Sequence, residues 1–288
     1  TEQNFNQAVH WGELAAKSSH PDAINNLAEL YLQDNPEEAV RLMKTAAEAG
    51  NLDAMSSLGF IYYEGIGVSN DSLEAMKWWK MAAEFDDAES QYRLACLYSD
   101  DEDVPEDQSL ASRWFQKAAE HGHADAQFNL GFMYELGETL PESATIAARW
   151  YERSAAQGHP LAQVKIGEFY LAGAGVKQDY KKAQAWFELS AQQNMGRAIY
   201  RLGYLHECGL GRPVNFKKAA TYYQEACEHL EEEAFLRLGL MHAHGQGVAQ
   251  NYTLAAEYLL RAAEQGNALA QFNYGNLLDY GNGVAQDK

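Results

Sequence analysis

Cysteine is scarce in this chain: Cys96, Cys208 and Cys227 are the only three in 288 residues, an odd and sparse set that gives no disulfide framework. Free thiols are the expectation. Positive charge is short as well, with 22 Lys and Arg against 41 Asp and Glu and a formal net charge of −19. A protein that tracks phosphates needs a basic stripe to release counterions, and one drawn to an anionic membrane surface needs a polybasic segment. Neither is present, so nucleic acid and membrane surfaces drop out as partners, while the acidity favours basic ones. No apolar run approaches the roughly 18 residues of a membrane-crossing helix, which argues against direct membrane insertion. A basic and apolar N-terminal signal segment is also missing; a trimmed chain would have lost one, so the compartment stays open between cytoplasm, periplasm and secretion. Apolar residues are not scarce. Hydrophobic types make up 47% and aromatics 12%, which excludes disorder and points to a soluble chain of one or two compact domains or one repeat array.

Self-comparison decides between these. A small residue follows a large apolar one at Ala28, Gly59, Ala95, Gly131, Gly167, Gly203, Gly239 and Gly275, with a first step of 31 residues and six further steps of 36. A second series, Ala8, Ala39, Ala75, Ala111, Ala147, Ala183, Ala219 and Ala255, has the same steps. Each unit reads as two helices. In the first, residues such as Ala126, Leu130 and Tyr134 fall near one face, and the small residue lets a neighbouring helix approach. In the second, the marker Ala is followed by bulky pairs, Trp78-Trp79, Trp114-Phe115, Trp150-Tyr151, Trp186-Phe187 and Tyr222-Tyr223; of this band Trp11, Trp78, Trp114, Trp150 and Trp186 are expected to be buried between layers. Four residues before each marker stands a capping type: Asn4, Asn35, Asp71, Asp107, Ser143, Asp179, Asn215 and Asn251. Pro36 suits a first helical position, Glu38 and Glu74 suit capping boxes, and pairs such as Gly65/Gly67, Gly173/Gly175 and Gly245/Gly247 suit a left-handed helix stop.

The pattern A-x-x-x-L-G-x-x-Y-x-x-G-x-G-V, a capped turn, then A-x-x-W-[WFY]-x-x-A-A-x-x-G resembles the Sel-one-like repeat (SLR) family, relatives of the tetratricopeptide repeats, over essentially the whole chain. The resemblance implies an all-α fold, a right-handed superhelical solenoid of antiparallel helix pairs with a 36-residue repeat, and a role as adaptor or scaffold. The expected organisation is a single solenoid over residues 1–288: a half repeat 1–19, seven helix pairs over 20–266 and a final first helix 267–288. Asn4 caps a second helix with no first helix before it, and Asp287 stands where the next cap belongs, so the array is expected to be a segment of a longer one, with end-to-end self-association a way of burying the terminal faces. Three departures stand out. Residues 100–107 replace a glycine loop with an acidic one, Leu230 stands where a second helix usually ends in Gly, and the shortened first repeat needs a tight turn.

Chemistry-bearing motifs are few. The glycine loops close helices instead of opening them after a strand, unlike phosphate loops. His206 and His242 hold equivalent positions in adjacent repeats with Cys208 and His244 nearby, but equivalent residues on neighbouring helices sit roughly 8 to 10 Å apart, too far for shared metal ligation. The acidic loop lacks the spacing of a calcium loop. Cys227 resembles the first member of the cysteine staple of some bacterial SLR proteins, but Phe235 occupies the second position. No G-x-S-x-G elbow occurs. No catalytic, cofactor or metal residues are therefore assigned, and no enzyme activity is expected.

A more useful signal lies two residues before each small residue: Asn26, Ser57, Arg93, Asn129, Lys165, Arg201, Arg237 and Asn273, all polar and four of them basic. Resemblance to tetratricopeptide proteins places this row on the concave face, where such groups hold the backbone or carboxylates of bound peptides. Arg197 matches the second arm of a clamp with Arg201, and Phe60, Phe132, Tyr204 and Leu240 add apolar contacts. A second reading stands beside this one: Asp22, Asp53, Glu89, Asp125 and Glu233, each four residues before a row member, turn the row into an internal charge ladder. The leading expectation is a noncatalytic protein-interaction scaffold that binds a partner peptide or helix in this groove. The alternative is an inhibitor or immunity-type protein that blocks a cationic enzyme or toxin.

Overall fold

Sixteen helices and no strand are found among the described residues of the computed structural model, which are 2–137 and 139–284, with side chains from residue 7 onward. Two compact units divide the chain, Thr1–Glu142 and Ser143–Lys288. The first holds α1 (Glu2–Ala16), α2 (Pro21–Tyr31), α3 (Pro36–Glu48), α4 (Leu52–Glu64), α5 (Ser72–Ala83), α6 (Ala88–Asp100), α7 (Gln108–Glu120) and α8 (Ala124–Leu136). The second holds α9 (Ala144–Ala156), α10 (Pro160–Ala172), α11 (Tyr180–Ala191), α12 (Gly196–Cys208), α13 (Phe216–Glu228), α14 (Glu232–His244), α15 (Tyr252–Glu264) and α16 (Ala268–Tyr280). Even-numbered helices are the first of each pair and odd-numbered ones the second. Within a unit each helix packs on its neighbours in sequence. No described helix is long and apolar enough to cross a membrane.

Local sequence sets the helix starts. The side chains of Asn35, Asp71, Asp107, Ser143, Asp179, Asn215 and Asn251 each accept a hydrogen bond from a backbone N–H in the first turn of the second helix that follows, relieving one orphan donor apiece. Asn4 departs from this series, because α1 already begins at Glu2 and Asn4 lies inside it; Asp287 lies outside the described residues. Glu38 and Glu74 do not close reciprocal capping boxes. Their carboxylates turn instead to Arg41 and Lys77 one turn ahead, and the Asn35 and Asp71 N–H groups that a box would use already donate to the Tyr31 and Tyr62 carbonyls. The first helices carry caps of their own: Asn51, Asp87 and Asn267, and the imidazoles of His123 and His159, whose Nδ1 atoms accept from Ala126 and Ala162.

The paired glycines meet two different demands. Gly65, Gly173, Gly209 and Gly245 end their helices at φ between 67° and 76°, left-handed backbone that glycine adopts without strain. The second glycine is demanded by contact: a Cβ at Gly175 would lie 2.3 Å from the carbonyl carbon of Ala144, and one at Gly247 equally close to that of Phe216. Each loop is thus wedged against the start of the preceding second helix. Where residues 100–107 replace the glycines, Val104 is buried in their stead. The shortened first repeat turns tightly, with Asn35 N–H donating to the Tyr31 carbonyl at 2.7 Å.

The core comes from the small residue of each first helix and the fourth residue after each second-helix marker. Gly59 faces Trp79, Gly167 faces Phe187, Gly203 faces Tyr223 and Gly239 faces Leu259; all four bulky partners are buried. The third residue after the marker, which is Trp78, Trp114, Trp150 or Trp186, is half-buried, and Trp11 is 68% exposed. The expectation that Trp11, Trp78, Trp114, Trp150 and Trp186 are buried is therefore met only in part at the four half-buried positions and fails at Trp11; the buried indole is that of Trp79, at the fourth position. A residue at the third position points about 100° away from the fourth around the helix, and the described contacts of α1 fall mainly on α2. Buried glutamines lock successive pairs together: Gln91, Gln127 and Gln163 each donate to the carbonyl eight residues earlier, at the end of the preceding second helix.

Candidate protein-binding face

In the first unit, α4, α6 and α8 carry Ser57 with Phe60, Arg93, and Asn129 with Phe132. These residues line three adjoining cavities. One, of about 280 Å³, is bounded by Ser57, Phe60 and Arg93; the next, of about 330 Å³, lies between Arg93 and Asn129; the third, of about 270 Å³, between Asn129 and Phe132. Trp79 and Arg93 border the first two, and Phe115, Ser99 and Asn129 the last two, so the cavities form one track across three first helices. Phe60 and Phe132 are 44% and 41% exposed at its edges. Asn26, the row member on α2, is exposed and borders none of the three.

Arg93 is not a free cation. Its Nε lies 2.6 Å from the carboxylate of Glu89 one turn earlier, and Glu89 also meets Nε2 of His123 at 2.9 Å. Because Nδ1 of His123 accepts from the Ala126 N–H, the ring proton sits on Nε2 and points at Glu89. That hydrogen bond, with Arg93 behind it, outweighs partial burial and holds the Glu89 carboxyl down at about 2. Tyr92 stacks on the same imidazole at 4.3 Å.

The second unit uses its basic row differently. Arg197 and Arg201 close together as the spacing predicts, yet on Oε1 of Glu168 in α10, at 3.1 and 2.6 Å. Arg237 reaches Glu207 of α12 at 3.5 Å, and Glu207 also accepts from the Tyr223 hydroxyl. The charge-ladder reading is thus right in kind for Arg93 but has the wrong partner at Arg237, which turns away from Glu233 four residues earlier. Glu233 instead faces Glu231, whose carboxyl is raised to about 7 by burial and by that hydrogen bond. Asp22 likewise turns to the Asn51 amide at 2.7 Å. Lys165 is half-buried on α10, and Tyr204 and Leu240 are half-buried on α12 and α14. Leu240 and Asn273 share a cavity of about 180 Å³ with Tyr252 and Tyr280. The carboxylates that meet Arg201 and Arg237 stand 33 and 30 residues earlier, on the preceding first helix. An i, i+4 search cannot find them; a search near one repeat length finds both.

The histidine and cysteine positions serve packing. His206 and His242 stack on Tyr222 and Tyr258 at 5.6 and 5.8 Å. Burial and the nearby Arg212 push the His206 imidazole down. Cys227 is a buried free thiol, raised to about 12 by burial. Among the described residues no group of three His, Cys, Asp or Glu side chains is arranged to hold a metal.

Sel1 repeat matches cover residues 1–20, 21–51, 52–84, 88–123, 124–159, 160–195, 196–229, 233–267 and 268–288. The chain belongs to the Sel1 repeat family. Sel1 repeats generally mediate protein–protein interaction, on a fold that is typically noncatalytic. Among solved structures, the chain is similar to a protective antigen of uropathogenic Escherichia coli strains displaying an SLR fold: 31% identity, 98% of this chain and 69% of that one, and a TM-score of 0.87. It is also similar to a Sel1 repeat protein from Oxalobacter formigenes, with 29% identity over 97% of this chain and 83% of that one and a TM-score of 0.73. An immunity protein from Pseudomonas aeruginosa aligns at 20% identity and a TM-score of 0.41 over 72% of this chain and 81% of that one, too distant to carry its role across. No curated protein gives a significant match.

Proposed function

We propose that this Sel1 repeat protein is an interaction scaffold that holds an extended segment of a partner protein along the α4–α6–α8 face of its first unit. The continuity of the three cavities carries the proposal. Successive side chains of an extended strand alternate sides at about 3.3 Å per residue, so a short segment would place alternate residues in the track. Ser57 and Asn129 offer donors and acceptors for its backbone, and Phe60 and Phe132 offer the partly exposed aromatic surface that anchors interfaces. The arginines of the second unit are weaker candidates for the same work. Arg201 and Arg237 already meet carboxylates of their own chain, and a partner carboxylate would have to displace Glu168 or Glu207 at the cost of leaving that group unpaired.

A photo-crosslinking amino acid at position 60 or 132, with a control at the exposed Arg113 on α7, tests the assignment in cells. The expected result is one set of partner adducts shared by positions 60 and 132 and absent at 113. Adducts at 113 alone would move binding to the second-helix surface.

A further inference from the structure

The middle cavity of this track has a chemistry of its own. Tyr63, Trp79 and Phe115 form aromatic walls, and Asp100 and Asp101 stand at its border beside Arg93. The Arg93 charge is matched by Glu89. Asp101 accepts only from neutral groups, the Ser72 hydroxyl at 3.2 Å and the Asp103 N–H at 3.0 Å. Among the described residues neither Asp100 nor Asp101 has a Lys or Arg within 4.0 Å. The loop that continues from them adds Glu102, Asp103, Glu106 and Asp107 and no basic residue. The Tyr63 phenol reports this field: burial raises its pKa first, and the Asp101 charge raises it further.

An apolar anchor is a poor match for such a cavity. It would fill the aromatic walls while stripping water from two carboxylates that have no counter-ion, a desolvation cost with nothing to offset it. A neutral polar side chain leaves the charge unmet, and an anion is repelled. A cationic side chain on an apolar stem satisfies both halves: the stem packs on the rings, the head lies over an aromatic face and the carboxylates accept its hydrogen bonds. The cavity, at about 330 Å³, falls at the small end of ligand-sized pockets.

We propose that this cavity receives a lysine or arginine side chain of the segment bound along the α4–α6–α8 face. The inference rests on the groove reading above and adds to it the chemistry of the central anchor. It also accounts for residues 100–107. Where other repeats hold a glycine loop, this one holds a carboxylate rim that raises the local concentration of basic segments and orients them.

The test is a random peptide library displayed on phage and panned against the full chain. Enriched peptides are then measured by fluorescence anisotropy against the wild type, Asp100→Asn/Asp101→Asn and Asn129→Ala/Phe132→Ala. Asparagine keeps the size of Asp101: its Oδ1 can still accept from the Asp103 N–H, while its Nδ2 takes the place of the oxygen that met Ser72 and donates to that hydroxyl instead; circular dichroism checks that each variant folds. Enriched peptides are expected to share one Lys or Arg. Replacing it with Gln should weaken binding to the wild type at least tenfold, the scale of one charged hydrogen bond, but less than twofold on the Asp100→Asn/Asp101→Asn protein, since the two changes remove one interaction. Peptides that bind through Asn129 and Phe132 but tolerate loss of every basic residue would overturn the cationic anchor and leave the groove intact. Peptides indifferent to Asn129→Ala/Phe132→Ala, or a library that yields no binder, would count against both.

Discussion

Adding one methyl group at the same position of two repeats should change stability in opposite directions. Alanine is favoured over glycine inside a helix by about 1 kcal/mol, so Gly→Ala in a first helix stabilises wherever space allows. At Gly59 space is absent: a Cβ would sit 2.3 Å from Nε1, 2.4 Å from Cδ1 and 2.6 Å from Cε2 of Trp79. That indole is 2% exposed and donates to the Ser56 carbonyl at 3.1 Å, so a swing towards the cavities it borders would break that hydrogen bond. Forcing α5 away costs about 1–3 kcal/mol as overpacking, and leaving a buried indole N–H without its acceptor costs about 1–3 kcal/mol more. Against a propensity gain of about 1 kcal/mol, Gly59→Ala should destabilise by about 1–5 kcal/mol. At Gly275 a Cβ meets nothing within 4 Å, and the φ is ordinary for a helix, so Gly275→Ala should stabilise by up to about 1 kcal/mol. Repeat arrays need not unfold in one step. Native-state hydrogen exchange therefore reads each change locally, in α4 and α5 for the first and in α15 and α16 for the second. Shifts of the same sign at both sites would refute the claim that close helix approach selects glycine at this position.

Leu230 holds φ +59° where the equivalent Gly50, Gly122, Gly158 and Gly266 sit at φ above 90°, and it is 73% exposed; Leu230→Gly should stabilise by about 1 kcal/mol, seen as a higher urea midpoint. Asn251→Ala removes the oxygen that accepts from the Leu254 N–H and should cost about 1 kcal/mol, with faster exchange confined to the first turn of α15. Glu89 gives a pH prediction. Its folded-state pKa lies below the ordinary carboxylate value, so its contribution is present above the unfolded pKa and is lost as pH falls from about 4.5 towards about 2. Glu89→Gln should flatten the stability profile inside that window and leave its shape above pH 5 unchanged; an unchanged acid limb would show that the His123 and Arg93 contacts do not persist in solution.

The repeat, the helix pairs and the starts of the second helices were legible because each is set locally: a cap within three residues of its N–H, a left-handed glycine, a small residue opposite a large one. Burial was legible only in part. Two adjacent aromatics such as Trp78 and Trp79 look alike in a sequence, while the helix sends one to the core and the other towards its edge. The polar row was found by its register, but the carboxylates that meet Arg201 and Arg237 lie on the preceding first helix, a non-local pairing that a one-turn rule does not reach. His123 and His159 drew no notice because imidazole is an uncommon cap, and only the structure shows Nδ1 turned to the backbone. The acidic loop shows in the sequence as a run of carboxylates in place of glycines; that it borders an aromatic-walled cavity depends on how α4 to α7 stack, which no single segment encodes.

Binding along α4, α6 and α8 is tested most directly by isothermal titration of a crosslink-identified partner segment into the wild type and into Phe60→Ala/Phe132→Ala. Both phenylalanines are partly exposed, so their loss should leave the circular dichroism spectrum unchanged. Truncated interface anchors typically cost about 2 kcal/mol or more, so the expected result is a Kd weakened at least tenfold. An affinity within twofold of the wild type, with the fold intact, would contradict the assignment of this face.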